Sequence, residues 1–188
     1  MSGIPAVHMN FCNECGGSIY FGPVEGDRAP RHVCSRCGHI HYLNPKIVCG
    51  CLAIWQDQVL LCRRSIEPRA GFWTLPAGFM ENGETTLEGA IRETREEAKA
   101  DVQVDGLYCL FNIPHISQVY MMFKGTLIEG RHAAGDETLE TGLYHEDQIP
   151  WNDLAFPVVR QTLQHYFQDR KTNVFPFRMI DLHKPIRP

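Results

Sequence analysis

An α+β fold is predicted: a mixed β-sheet held between helices, an α/β/α sandwich, behind a small cysteine-bearing module. Three observations carry this expectation. Val-, Ile- and Leu-rich runs of strand length recur from Lys46 to Glu146, two helix-patterned segments lie among and after them, and the stretch up to Asn44 has Gly, Pro and paired cysteines but little periodicity. The chain therefore divides into a module of residues 1–45 and a larger domain of residues 46–188.

In the larger domain, KIVCGCLAIW and QVLLCRR flank a Gln56–Asp57 turn and read as a β-hairpin. GFWTLPAGFMENGE follows as a Gly- and Pro-rich structured loop, and Thr85 to Ala98 reads as a helix opened by the capping-box pair Thr85 and Glu88. Its packing flank is Leu87, Ala90, Ile91, Thr94 and Ala98. Val102–Asn112, Ser117–Ile128 and Leu139–Glu146 are further strands, and a second helix begins near Pro157 with Val159, Leu163, Tyr166 and Phe167 as its apolar face. The tail from Lys171 to Pro188, with Pro176, Pro185 and Pro188, reads as extended and free to pack on a partner subunit.

Composition excludes several function classes. Hydrophobic residues at 44% and charged residues at 21% belong to a folded globular chain. The 18 Lys+Arg against 22 Asp+Glu leave a formal charge of -4, so there is no general basic field for nucleic acid or an anionic membrane. The longest apolar stretch, Ile47–Trp55, is broken by Gly50 and falls short of the ~18 residues of a spanning helix. MSGIPAVHMNF has no charged leader ahead of an apolar block, so a reducing, cytoplasmic setting is expected. There the 8 cysteines point to metal binding or core thiols rather than disulfides.

Cys12-x2-Cys15 and Cys34-x2-Cys37, eighteen residues apart and each followed by glycine, have the spacing of a four-thiolate zinc site. Gly16 and Gly38 leave room for a tight turn that brings backbone amides to the sulfurs. Four sulfurs close the coordination shell, so such a zinc ion supports folding and not chemistry. A redox CxxC, an iron site, free thiols, or a histidine ligand from His32, His39 or His41 are the rival readings. Cys49, Cys51, Cys62 and Cys109 lie in strand-like runs without metal spacing and are expected in the core.

On the first helix, Glu93, Glu96 and Glu97 share a narrow arc beside the packing flank. Like charges at these spacings cost a helix roughly 0.2–0.5 kcal/mol per pair, so the cluster calls for a counter-charge. Arg92 and Arg95 on a solvated face would supply it; so would a divalent cation, for which carboxylate oxygens are hard ligands suited to magnesium or manganese. Magnesium in turn shares its remaining positions with waters and substrate phosphates.

The pattern Gly78-x5-Glu84-x7-Arg92-Glu93-x2-Glu96-Glu97 resembles the signature of the Nudix hydrolases, with two departures: Thr94 where the family has an aliphatic residue, and Lys99 where it has glycine. The ribbon followed by NPKIVCGCLAIW, LLCRR, WTLPAGFMENGE and this box extends the likeness over most of the chain. The stretches LFNIPHISQVYMMFKGTL, GDETLE and IPWNDLAF look like the FAD and ADP-ribose pyrophosphatases that carry such a ribbon. The SQPWPFP stretch of the NADH pyrophosphatases is absent, which weakens NADH as a substrate.

The resemblance implies metal-dependent hydrolysis of a nucleoside diphosphate linked to another group, X. FAD would give AMP and FMN, and ADP-ribose would give AMP and ribose 5-phosphate; nucleoside triphosphates, or a non-catalytic nucleotide- or RNA-binding role, are the alternatives. It implies Glu93, Glu96 and Glu97 as metal ligands, with the Ala77 carbonyl and Glu84 as additional ones, and Arg92 as the residue that orients the carboxylates. The general base comes from the box or from the later loop, where Glu137 and Glu140 stand. Arg64, Trp73, Gly78 and Phe111 are the candidate substrate contacts, and a homodimer is expected.

Overall fold

The computed structural model describes residues 9–183. The chain forms two compact units, Met1–Pro45 and Lys46–Pro188. The first holds a three-stranded antiparallel sheet of β1 (Ile19–Gly22), β2 (Arg31–Cys34) and β3 (Ile40–His41). Its buried hydrophobic residues, among those described, are Cys12, Val33 and Cys34, while Phe11, Tyr20, Phe21, Tyr42 and Leu43 are exposed. So small an apolar core does not stabilise a module of this size, and a covalent or metal cross-link must supply the rest.

The second unit is built on a mixed sheet. Its strands are β4 (Lys46–Trp55), β5 (Gln58–Arg64), β6 (Trp73–Thr74), β7 (Ala77–Phe79), β8 (Val102–Ile113), β9 (Gln118–Leu127), β10 (Thr138–Tyr144) and β11 (Arg178–Asp181). They lie in the order β10-β5-β4-β9-β8-β11, with β6 on β5 and β7 on β4. The β4–β9 and β8–β11 pairs are parallel and the others antiparallel.

Two helices cover opposite faces, and strand alternation explains how. Leu52 of β4 and Val59 and Leu61 of β5 join Val158, Val159, Leu163, Tyr166 and Phe167 of α2 (Pro157–Arg170) in one cluster. The intervening Cys51, Ala53, Leu60 and Cys62 pack with Ala98 of α1 (Thr86–Ala98) in another. Cys49, Cys51, Cys62 and Cys109 are at most 1% exposed, and burial pushes their thiols up, Cys51 to about 12 and Cys49 to about 11. They remain protonated and inert.

The Thr85 hydroxyl accepts from the Glu88 amide at 3.2 Å and the Glu88 carboxylate accepts from the Thr85 amide at 2.7 Å, which closes the predicted capping box. Leu87 departs from expectation: it is 41% exposed, because it falls on the solvent side of the first turn. The tail differs as well. Arg178–Asp181 adds to its own chain as a parallel edge strand on β8, from Arg178↔Cys109 to Asp181↔Asn112. Pro185 and Pro188 lie outside the described residues.

Charge pins that strand. Arg178 grips Asp169 of α2 with two nitrogens at 2.6 and 2.7 Å, and the Tyr108 hydroxyl donates to the same carboxylate at 2.6 Å. Burial works against the charged form of Asp169, yet these contacts hold its carboxyl below the ordinary 3.8. Its stabilisation is therefore present above that value and lost as pH falls through the folded-state pKa. Asp169→Asn is expected to cost about 2–4 kcal/mol at pH 7, because it leaves Arg178 unpaired. In urea titrations followed by the fluorescence of Trp55, Trp73 and Trp151, the gap from wild type should shrink below about pH 3.8.

Candidate active site

The acidic cluster is assembled where α1 crosses β7. Gly78 permits this close approach: a Cβ there would sit 2.3–2.4 Å from the Glu93 carboxylate. One residue earlier, the Ala77 amide donates to Glu97 Oε2 at 3.0 Å. Glu93 and Glu97 are 9% and 8% exposed, whereas Glu96, rotated outward on the same arc, is exposed.

Arg92 collects the carboxylates. Its Nε and one terminal nitrogen engage Glu84 at 2.9 and 2.7 Å, and the other reaches Glu93 at 2.7 Å and Glu96 at 2.9 Å. A further contact at 3.1 Å ties it to the Phe79 carbonyl. The Arg92 guanidinium, with the Glu81 amide, holds Glu84 down to about 2. Glu93 goes the other way, since burial outweighs its contact with Arg92. Burial also pushes Glu97 up to about 7, against the pull of the Ala77 amide.

A loop from β9 to β10 closes the arrangement. The Ala133 amide donates to the Ala98 carbonyl at 2.8 Å and the Gly135 amide to the Glu97 carbonyl at 3.0 Å, so the loop caps the C-terminal end of α1. Gly135 is obligatory there, because a Cβ would lie 1.7 Å from the Glu96 carbonyl oxygen. The Glu137 carbonyl accepts from the Ser65 amide at 3.0 Å, which fixes the other end. Glu137 and Asp136 thereby share one open cavity of about 430 Å³ with Arg92, Glu93, Glu96 and Glu97, which Phe79, Glu81 and Lys99 also line.

Other candidates fall elsewhere. Glu140 faces Arg63 at 3.7 Å across β10 and β5 and is absent from the cavity wall, because a register shift between Thr138 and Glu140 turns it away. Arg64 donates through Nε to the Pro68 carbonyl at 3.0 Å and lies 5.3 Å over the Phe156 ring, close enough for its charge to act on Glu97. Phe111 is 0% exposed and Trp73 9%, both inside the α2-side core, so neither ring offers a face to a ligand. Four residues outside the sequence reading line or adjoin the site: Phe79, Glu81, Asp136 and Phe156. Phe79 and Asp136 sit next to Gly78 and Glu137, a signal of adjacency alone; Glu81 lies midway between Gly78 and Glu84, and nothing in the sequence brings Phe156 to Arg64.

The donor chemistry fits a divalent cation. Six carboxylates on the cavity wall, Glu81, Glu93, Glu96, Glu97, Asp136 and Glu137, face two basic groups, Arg92 and Lys99. Hard oxygen ligands in such excess suit magnesium or manganese. Among the described residues, however, the four ribbon cysteines are the group whose ligand atoms all come within 4.8 Å of one another. Their Sγ atoms are 3.8 Å apart for Cys12 and Cys37 and 3.5 Å for Cys15 and Cys34. A tetrahedron with Zn–S near 2.3 Å has edges of about 3.8 Å, so these sulfurs fit zinc. Gly16 and Gly38, at φ +70 and +72, turn the two knuckles, and the Cys37 and Arg36 amides pull Cys34 down to about 6.

Comparison with known proteins agrees with this geometry. The NUDIX domain model matches residues 45–163, and the Nudix N-terminal zinc-ribbon model matches residues 10–43. The chain belongs to the Nudix hydrolase family. It is similar to the NAD-capped RNA hydrolase NudC of Edwardsiella ictaluri, 31% identical over 164 residues, which are 82% of this chain and 58% of that protein. It is also 30% identical over 121 residues to an ADP-ribose pyrophosphatase of Methanocaldococcus jannaschii, 61% of this chain and 69% of that one. The crystal structure of a NUDIX hydrolase from Nitrosomonas europaea superposes with a TM-score of 0.91 at 47% identity, covering 94% of this chain and 100% of that chain. The chain thus spans little more than half the length of its NudC relative.

Two outcomes are expected of this chain. The folded-state pKa of Glu97 lies above its ordinary 4.5, at about 7, so the folded protein holds an extra proton between those values and loses stability as pH rises through them. In metal-free protein Glu97→Gln should therefore be more stable than wild type at pH 8, by up to about 3 kcal/mol, with the gap closing near pH 5. For the ribbon, we expect one zinc per chain by atomic emission; Cys34→Ser should lose it and unfold residues 9–45, read as collapsed amide dispersion in NMR spectra.

Proposed function

We propose that this Nudix hydrolase cleaves the pyrophosphate of a small nucleoside diphosphate derivative, ADP-ribose or FAD, with magnesium or manganese. The carrying observation is the convergence of Glu93, Glu96, Glu97 and Glu137 on one open cavity beside Arg92. Glu93 and Glu97 are the first metal ligands, Glu96 joins them from the rim, and the Ala77 carbonyl completes the set. Glu84, locked to Arg92 and the Glu81 amide, is better suited to holding Arg92 than to leaving it for a metal. When bound, the divalent ion would neutralise phosphate charge and acidify a water molecule.

The chain's own residues supply the remainder. Arg92 keeps three carboxylates side by side against their mutual repulsion. Glu137 is the general base: it is exposed to the cavity, it sits on a loop pinned at both ends, and among the described residues its carboxylate has no side-chain partner, whereas Glu140 has Arg63. Arg64 serves the phosphates, and half-buried Phe156 beneath it replaces Trp73 and Phe111 as the ring beside the substrate.

The likeness to an ADP-ribose pyrophosphatase supports the substrate class. A second reading, hydrolysis of NADH or NAD-capped RNA, rests on the longer match to NudC; the net charge of -4 and the absence of SQPWPFP weigh against it. A homodimer and a cytoplasmic setting belong to the same proposal.

The test is a panel of ADP-ribose, FAD, NADH, ATP and NAD-capped RNA with magnesium and product identification. Highest kcat/KM on ADP-ribose or FAD is expected, with Glu137→Gln lowering kcat about 10²–10⁴-fold at similar KM. Glu97→Gln should be as impaired, with weakened magnesium dependence. Preferential turnover of NAD-capped RNA would move the assignment to the second reading, and unaltered rates in both variants would remove the site.

A further inference from the structure

Lys99 ends α1 in a conformation that suits glycine. Its φ of 47° and ψ of 35° are left-handed, and its amide donates to the Arg95 carbonyl at 3.0 Å. A side chain with a Cβ is strained there, and glycine would relieve the strain at no packing cost. Lys99 is nevertheless present, exposed, and on the wall of the acid-lined cavity.

The neighbouring cations are already committed. Arg92 makes five hydrogen bonds, four to carboxylates and one to the Phe79 carbonyl. Arg95, which points away from the cavity wall, holds Asp101 at 2.6 Å. Among the described residues Lys99 is the cavity-lining cation that makes neither an ion pair nor a side-chain hydrogen bond, although six carboxylates share its cavity. An ammonium on a flexible four-carbon stem, left unpaired beside so many acids, is available to an incoming anion. Favourable interaction with the C-terminal end of the helix dipole is the competing explanation, and it requires neither the cavity nor a ligand.

We propose that Lys99 is a substrate-binding residue that anchors non-bridging oxygens of the pyrophosphate. The inference rests on the hydrolase reading above and deepens it. Arg92 is held by its carboxylates and cannot take this part. The strain tolerated at the helix end is then offset by affinity for substrate, so that binding and stability oppose one another at this position.

The experiment compares wild type with Lys99→Gly and Lys99→Arg in magnesium. For ADP-ribose, Lys99→Gly should raise KM about tenfold, the size of one charge-assisted contact, with kcat within about twofold. Lys99→Arg should restore most of the affinity. The melting temperature of Lys99→Gly should equal or exceed that of wild type, by up to about 2–4 °C, so the loss cannot come from unfolding. In parallel, inorganic pyrophosphate is titrated calorimetrically into the same three proteins with magnesium, and Lys99→Gly should bind it about tenfold more weakly. An unchanged pyrophosphate affinity in Lys99→Gly, or a Lys99→Arg protein as weak as Lys99→Gly, overturns the assignment. If wild type turns over no member of the panel, the hydrolase reading fails, and the pyrophosphate titration still decides whether Lys99 binds phosphate.

Discussion

Everything at the acidic site depends on keeping like charges together without unfolding the helix that bears them. Glu93 and Glu97 are nearly buried, and burial makes their negative charge expensive. Three features make the arrangement tenable. Arg92 takes Glu84, Glu93 and Glu96 at once, the Ala77 amide meets Glu97, and Gly78 removes the Cβ that would push Glu93 away. Arg92 comes from α1 and the other two from neighbouring residues of β7, so the cluster is a product of packing α1 on β7 as much as of the helix sequence.

The ribbon follows a different logic within the same chain. Its buried hydrophobic residues are few, and two of them are cysteines of the quartet. Sulfurs 3.5–3.8 Å apart act as the core there, which explains why its aromatic side chains can remain outside. In the larger unit, burial of the alternating faces of β4 and β5 beneath two helices does that work without metal.

Much of this was legible in the sequence because it is local. The capping box, the i, i+3, i+4 spacing of the glutamates and the two CxxC knuckles need no knowledge of distant residues. Where the reading failed, tertiary geometry had the decision. The β8 strand carries register shifts at Val104/Gly106 and Leu107/Cys109, which break simple alternation, and Phe111 ends on the buried face. Trp73 lies on a two-residue strand too short to show parity. Glu137 and Glu140 look equivalent as sequence, yet the irregularity between Thr138 and Glu140 sends one to the cavity and the other to Arg63. The parallel pairing of β11 on β8 leaves no mark in four residues of tail.

The docking of the β9–β10 loop onto the last carbonyls of α1 has a mechanical consequence. The acids proposed to hold a cation and the group proposed to take a proton from water are tied to the same helix end, which acts as the ruler between them. Any lengthening of that connection would spoil the spacing on which the proposed hydrolysis relies. Diversification of such a scaffold toward new nucleotides is therefore channelled to its other borders, where insertions leave the ruler intact.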